Sequence, residues 1–518
     1  MIASTLRLLA AAALLATILP VYSKKVVFYP APTASYVIYH SNIASAMSSL
    51  GHDVWICLPR YLVVKNLVKD PAIKIVEYGK DMGDMVAKLF KSSGLVDNFW
   101  DGKQSEELAS LYKIYQESTR TSAAIMSDES FLEQVRDIQA DLFVLDSTGP
   151  SISMIVLPYK LGIPYALVGT MHDVIVARVP FSPAATPPFP RPGFSDQMSF
   201  SQRLQATILS AVLMTFEIFC DSSLVSTFVP EKPYDSITNL AAKAEIFIAE
   251  LDHILDYPRP MLPNTKLIGG SSASAAKPLA AEFQKFVNES KHGIVVVSFG
   301  SAVVDIPPVI SEKMTAAFNQ LDQRVVWRVN ITSPEPNHIM TSKWIPQNDL
   351  LGQEKTRLFV SHCGKNGQYE ALYHGVPILC LPIYGDQFYN AERIRIKEFG
   401  LSADVRSVSA DQLADLMKQI INESKYTGNM KKASRLYREL YKVPMKEAAF
   451  WLDHVMKYGG DYMRSSSQKM PLYQFMLLDV LSVILGFSCL LFVLLFFLVK
   501  LCFRCCRRKG NSVKVKQS

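Results

Sequence analysis

The sequence predicts an α/β protein with two open parallel sheets and, near its end, one membrane-crossing helix. Three observations predict it. Short β-rich runs alternate with helical stretches along most of the chain, the pattern of strands covered by crossover helices. The alternation occurs twice, on either side of Ser271–Ala281, a run of small residues with Lys277 and Pro278 that suits a linker. Val480–Val499 is twenty residues without a charge, which as a helix spans about 30 Å, one hydrocarbon thickness. The chain has 518 residues, 49% hydrophobic and 19% charged, a composition that excludes a disordered chain and a small disulfide scaffold.

Taken in order, Arg7 precedes an apolar run, Leu8–Leu19, then Pro20 and small or polar residues to Ser23. That run is too short to span a bilayer and reads as a secretory signal over residues 1–23. The first domain, 24–270, takes strands at Lys25–Tyr29, Asp53–Cys57, Ile73–Glu77, Asp141–Leu145 and Tyr165–Val168. Pro180–Pro192 holds six prolines and can be neither helix nor interior strand. After the linker, 271–281, the second domain, 282–470, takes strands at Gly293–Val297, Arg324–Val329, Leu358–Ser361 and Ile378–Leu381.

Net charge is +7, and Lys500–Ser518 holds seven basic residues and no acid. The body is therefore charge-balanced, which excludes a nucleic-acid groove. The basic tail, 500–518, places the end of the chain in the cytosol and the body in the lumen, a type I single-pass arrangement. One span argues against a transporter or channel. Lys514-Val-Lys516-Gln-Ser resembles the dilysine retrieval signal of the endoplasmic reticulum. Cys57, Cys220, Cys363 and Cys380 fall on the lumenal side and are too scattered for a disulfide framework. Asn288, Asn330 and Asn422 open N-x-S/T sequons.

The chemistry concentrates in the second domain. From Trp344 the chain reads W-I-P-Q-N-D-L-L, then S-H-C-G-K-N-G-Q-Y-E-A-L-Y-H-G-V-P, then L-P-I-Y-G-D-Q-F-Y-N. Trp344 offers a flat face for a base. His362 closes a strand, and Gly364, Asn366 and Gly367 open a helix whose N–H groups attract phosphate. Glu370 can accept from ribose hydroxyls, and Asp386 and Gln387 from sugar hydroxyls. Ser298-Phe-Gly300-Ser301 is a second glycine turn after a strand. Together these make a nucleotide-diphosphate-sugar site.

Trp344–Asn390 resembles the signature of the UDP-glycosyltransferase family, to which the animal UDP-glucuronosyltransferases belong. Tyr257-Pro-Arg-Pro-Met-Leu-Pro, Gly269-Gly270, Ala448-Ala-Phe450-Trp451 and the Asp479-Val480 entry to the membrane helix extend the resemblance to nearly the whole chain. It implies two Rossmann-like domains facing a cleft, the GT-B fold. It also implies inverting transfer from UDP-glucuronate or UDP-glucose to a small lipophilic acceptor. No cofactor and no metal are implied, and no Asp-x-Asp triplet occurs. By the same resemblance Trp344 and Gln347 hold uridine, while Ser301, His362, Gly364, Asn366 and Gly367 surround the pyrophosphate. Glu370 binds ribose, and Asp386 and Gln387 the sugar. Homo- or hetero-oligomers with family members are further implied partners. The family's second glycine after the motif histidine is Cys363 here.

On the acceptor side the family places a catalytic histidine at the start of the first helix and an aspartate at the end of a later strand. Asp146 fits the aspartate. Counts from Pro30 and from His52 both put Tyr36 in the histidine slot. His40, four residues on, shares a helical face with it and is the candidate substitute base, the alternative being a cleft-rim histidine with no role. Two functions remain at this point: an active transferase with altered acceptor chemistry, or a non-catalytic UDP-sugar-binding relative. A glycoside hydrolase needs two facing carboxylates, and the acceptor side supplies one.

Overall fold

The computed structural model describes residues 23–80, 82–84, 100, 108–180, 182–188, 193–216, 223–300 and 303–514. The expected signal segment through residue 22, Ser301, Cys220, Lys516 and parts of the proline loop lie outside the described residues. Two units are distinct, residues 1–464 and 465–518.

The first unit holds two parallel sheets. The first contains β1 (Lys25–Tyr29), β2 (Asp53–Pro59), β3 (Lys74–Tyr78), β4 (Leu142–Asp146), β5 (Tyr165–Gly169), β6 (Phe247–Ala249) and β7 (Thr265–Leu267) in the order β3-β2-β1-β4-β5-β6-β7. The second contains β8 (Ile294–Ser298), β9 (Arg324–Arg328), β10 (Ile339–Ser342), β11 (Thr356–Ser361), β12 (Ile378–Cys380) and β13 (Gly400–Ser402) in the order β10-β9-β8-β11-β12-β13. Strands such as Ile-Val-Val-Val-Ser of β8 are buried along their length, as expected for a parallel sheet covered on both faces.

Four short strands go beyond those expected from the sequence: β6, β7, β10 and β13. Each is three or four residues long, too short to carry a periodicity. Several expected strands move by a residue or two. Asp141 lies just before β4, for example, and Asp146 is its last residue.

Strand order reverses between β1 and β4 in one sheet, and between β8 and β11 in the other. Ligands in open α/β sheets bind beyond the strand ends at such reversals. The register there pairs Tyr29 with Leu145 and Ser298 with Ser361. The segments after β1 and β4 thus meet each other, as do those after β8 and β11.

Several helices of this unit lie beyond the carboxyl ends of the strands. α1 (Ala34–Ser49) follows β1. α2 (Phe200–Phe216) follows the proline loop. α3 (Lys365–His374) follows β11, and α4 (Gln387–Ile396) follows β12. Buried Val37, His40, Ala44 and Met47 form the core-facing stripe of α1 at helical spacing, so His40 is turned inward by the same periodicity that seats its apolar neighbours. A late helix, α5 (Pro444–Tyr458), returns to the first sheet: Ala448, Ala449, Leu452 and Val455 share a core with Val37, Ile43 and Val54.

The second unit contains α6 (Leu478–Lys514). Its segment Leu478–Arg504, 27 residues whose apolar stretch reaches a mean hydropathy of 2.9, is long and apolar enough to cross a membrane.

Candidate functional site

On the first sheet, α1 and the end of β4 bring a histidine and a carboxylate together. His40 Nε2 lies 3.0 Å from Asp146 Oδ2, and both side chains are 0% exposed. The other carboxylate oxygen accepts from Thr148 N at 2.8 Å and Thr148 Oγ1 at 2.6 Å. Asp146 is thereby fixed as an acceptor, so the proton sits on Nε2 of His40. Nδ1 is buried and has no hydrogen-bond partner among the described residues. Phe28 and Tyr39 hold the ring edge-on.

Tyr36 lies one turn nearer the strand end and is half-buried. Its hydroxyl accepts from Thr170 Oγ1 at 3.3 Å. Burial, and secondarily the charge of Asp146, push this phenol well above its ordinary range, which removes it as a base. Thus the aspartate meets the residue one turn deeper than the position the spacing counts select. Thr148 was legible only as a Ser/Thr next to an aspartate, a weak local signal.

The second sheet carries the described residues expected at the nucleotide site. Trp344 stands two residues past β10, 65% exposed, with its face free for stacking. Gln347 Nε2 donates to Glu370 Oε2 at 2.6 Å. Burial raises the Glu370 carboxyl to about 7, against the lowering effect of that hydrogen bond. The His362 imidazole sits between Gly300 and Gly364, and a Cβ on either would lie within 2.7 Å of its Nε2. Gly300 also has a φ of +77°, so glycine is needed there twice over. Burial lowers His362 to about 4, leaving a neutral imidazole beside the free N–H groups at the start of α3. Asn366 and Gly367 are in the first turn of that helix.

Asp386 stands just before α4 and makes no capping bond; its Oδ2 accepts from Asn390 Nδ2 at 2.7 Å. Burial raises its carboxyl. Gln387 is placed inward: its Oε1 accepts from Ile383 N at 2.8 Å and Tyr384 N at 3.1 Å. Its side chain also hydrogen-bonds that of Tyr384.

The expectation for the cysteines is corrected. Cys363 and Cys380 form a disulfide joining the segment after β11 to the end of β12. The two are 17 residues apart in sequence, but β11 and β12 are paired neighbours, which spacing alone does not reveal. Cys363 has φ +62°, in the left-handed region where a glycine is easiest.

Between the sheets lies a cavity of about 210 Å³. Ser147, Met171 and His172 line it from the first sheet, and Leu213 and Met214 from α2. Lys365, Asp386 and Arg393 line it from the second. Arg259 Nη2 and Arg393 Nη1 approach Asp256 Oδ1 at 2.6 Å and 3.3 Å. Burial opposes ionisation of Asp256, but the two guanidiniums hold its carboxyl far below the ordinary range. Sequence reasoning found neither this cluster nor Lys365, although Arg259 lies in the Tyr257-Pro-Arg-Pro stretch.

Residues 24–516 match the family model described as UDP-glucoronosyl and UDP-glucosyl transferase. The chain is 30% identical over 464 residues to UDP-glucuronosyltransferase 1-2 of Mus musculus, covering 85% of this chain and 83% of the relative. It is 28% identical over 502 residues to UDP-glucuronosyltransferase 2B17 of Homo sapiens, covering 93% of each. Among solved structures it resembles a UDP-glucosyltransferase from Polygonum tinctorium capable of glucosylating indoxyl, with TM-score 0.59 at 15% identity, covering 84% of this chain and 99% of that one. That likeness is one of fold, the two facing sheets of the GT-B architecture.

Proposed function

Because this chain belongs to the UDP-glucuronosyl and UDP-glucosyl transferase family, we propose that it transfers glucuronic acid or glucose from the UDP-sugar to a small lipophilic acceptor, with inversion and without a metal. The carrying observation is the His40–Asp146 contact at 3.0 Å with its unpaired Nδ1. Asp146 holds the tautomer and stabilises the imidazolium, and Nδ1 takes the proton. As the acceptor oxygen bonds to the anomeric carbon, its proton passes to Nδ1 and UDP leaves with the electron pair of the broken glycosidic bond.

The pair is sealed from solvent, so the acceptor oxygen enters past Tyr36, whose hydroxyl serves as a hydrogen-bonding guide. The apolar lining from Met171, Leu213 and Met214 supports a lipophilic acceptor. Trp344 and Gln347 take uridine. Ser301, His362, Gly364, Asn366 and Gly367 take the pyrophosphate, Glu370 the ribose, and Asp386 with Gln387 the sugar. The proposed address is the endoplasmic reticulum membrane, type I, with a lumenal body. It is supported by the basic residues that follow the apolar helix and by Lys514 and Lys516 near the end of the chain.

The test is phenol-glycoside formation by wild type, His40→Ala and Tyr36→His at matched protein levels. His40→Ala is expected to slow turnover by roughly 10²–10⁴-fold, the worth of a positioned base, with UDP affinity unchanged. Tyr36→His is expected to add little. A wild type that binds UDP tightly yet turns over no phenol, amine or thiol favours the non-catalytic relative. Full activity in His40→Ala refutes this base.

A further inference from the structure

Lys365 is the first residue of α3, immediately after Gly364. The phosphate at such a helix start is served by backbone N–H groups. The Lys365 ammonium, however, sits at the end of a four-carbon arm that crosses the cleft. Its Nζ donates to the carbonyl oxygen of Thr170, the residue just past β5 on the acceptor sheet. Among the described residues that neutral carbonyl is its one hydrogen-bond partner, and no carboxylate lies within 4.0 Å of it.

The acids around it make their hydrogen bonds to other groups. Asp256 is shared by Arg259 and Arg393. Glu250 accepts from Ser271 N, and burial raises its carboxyl. Asp386 accepts from Asn390, and burial raises it too. Arg393 adds a like charge. Burial first, then Arg393, lowers the Lys365 ammonium to about 8, against the raising effects of Asp256, Glu250 and Asp386.

A half-buried ammonium facing a cavity with only a carbonyl for company is costly. An anion in that cavity would supply the missing counter-charge. Lys365 and Asp386 line the same cavity, and Asp386 is the residue given to the sugar hydroxyls. Since the ammonium lies on the acceptor-sheet side, it meets the sugar ring and not the pyrophosphate. UDP-uronates and UDP-hexoses differ at C6, where one has a carboxylate and the other a hydroxymethyl group.

We propose that Lys365 binds the C6 carboxylate of the donor sugar and makes this chain selective for a UDP-uronate over a UDP-hexose. This rests on the proposed donor site.

The test is calorimetric binding of UDP, UDP-glucose and UDP-glucuronate, without acceptor, to the full chain and to Lys365→Met and Lys365→Gln. Wild type at pH 7 is expected to bind UDP-glucuronate at least tenfold more tightly than UDP-glucose. Raising the pH beyond about 8 discharges the ammonium, so that preference shrinks. Either substitution should weaken UDP-glucuronate by tenfold or more and leave UDP and UDP-glucose within about twofold, which also shows that the variant is folded. Wild type taking both sugars within twofold overturns the proposal. So does a variant that loses all three ligands equally while keeping the wild-type unfolding midpoint, the behaviour of a phosphate contact. Failure of wild type to bind UDP at all is a different result and refutes the donor site itself.

Discussion

Glu370 shows how one buried carboxyl ties the donor site to pH. Burial lifts it to about 7, and Gln347 holds it from one side. On the proposed ribose assignment, hydroxyls donate to the ionised form, so UDP binding competes with the proton. Below pH 7 UDP must expel that proton, and UDP affinity should climb as pH rises to about 7, then level off. Glu370→Gln should flatten this profile and weaken UDP by about tenfold, since a neutral amide replaces a charge-assisted acceptor. The stability sign is opposite. The folded state holds this proton more tightly than the unfolded chain, so Glu370 costs stability as pH rises from the ordinary carboxylate range through about 7. Calorimetric UDP titrations between pH 5.5 and 8.5 check the binding profile, and an affinity independent of pH in wild type counts against the ribose assignment. Trp344 and Glu370 stood out as candidates because stacking faces and carboxylates announce their chemistry locally. His40 was legible through its i+4 spacing from Tyr36. Its preference for Asp146 was not, because that depends on how deeply α1 is seated behind β4. Lys365 escaped notice because its partner, Thr170, is 195 residues away.

Among the elements, the turn from β11 into α3 holds the most candidate site residues, and a covalent link ties it down. The Cys363–Cys380 disulfide ties this turn to the adjacent strand β12 across 17 residues of chain. Cross-linking a loop of that size is worth about 3 kcal/mol in the chain-entropy account. Cys363→Ala with Cys380→Ala should therefore lower stability by about 2–4 kcal/mol, read as a lower chemical-denaturation midpoint. Cys363 is also left-handed at φ +62°. Cys363→Gly with Cys380→Ala should then be the more stable pair by about 1 kcal/mol, because glycine adopts that φ freely. Equal midpoints for the two double variants would show that the turn relaxes once the link is gone. At this scale the long strands were readable from their β-branched runs. The short strands β6, β7, β10 and β13 were not, since their membership of a sheet is decided by neighbours rather than by their own pattern.

At the scale of the whole molecule, chain order and structural order part company. α5 comes after all six strands of the second sheet, yet its apolar face completes the core of the first. Leu452, Ala448 and Ala449 are buried against that core. His52 Nε2 lies 3.1 Å from Asp453 Oδ1, and Lys266 stacks on the Trp451 ring at 3.8 Å. Ala448-Ala-Phe450-Trp451 stood out in the sequence only through family resemblance; nothing local says which half a late amphipathic helix will cover. The linker at 271–281 is therefore not a place where the molecule divides into self-sufficient parts. Leu452→Ala removes a buried side chain from the first core and should cost about 2–5 kcal/mol. The sharper expectation concerns fragments. Residues 24–270 alone leave the α1 and β2 side of the sheet uncovered and should be aggregation-prone. The same fragment supplied with a peptide of residues 441–464 should gain solubility and a cooperative unfolding transition. Hydrogen exchange on the two samples reads the difference directly, because amides of α1 become protected only where α5 docks. Equal protection of α1 with and without the peptide would mean that the first half folds by itself, and that α5 fastens the two halves without completing either.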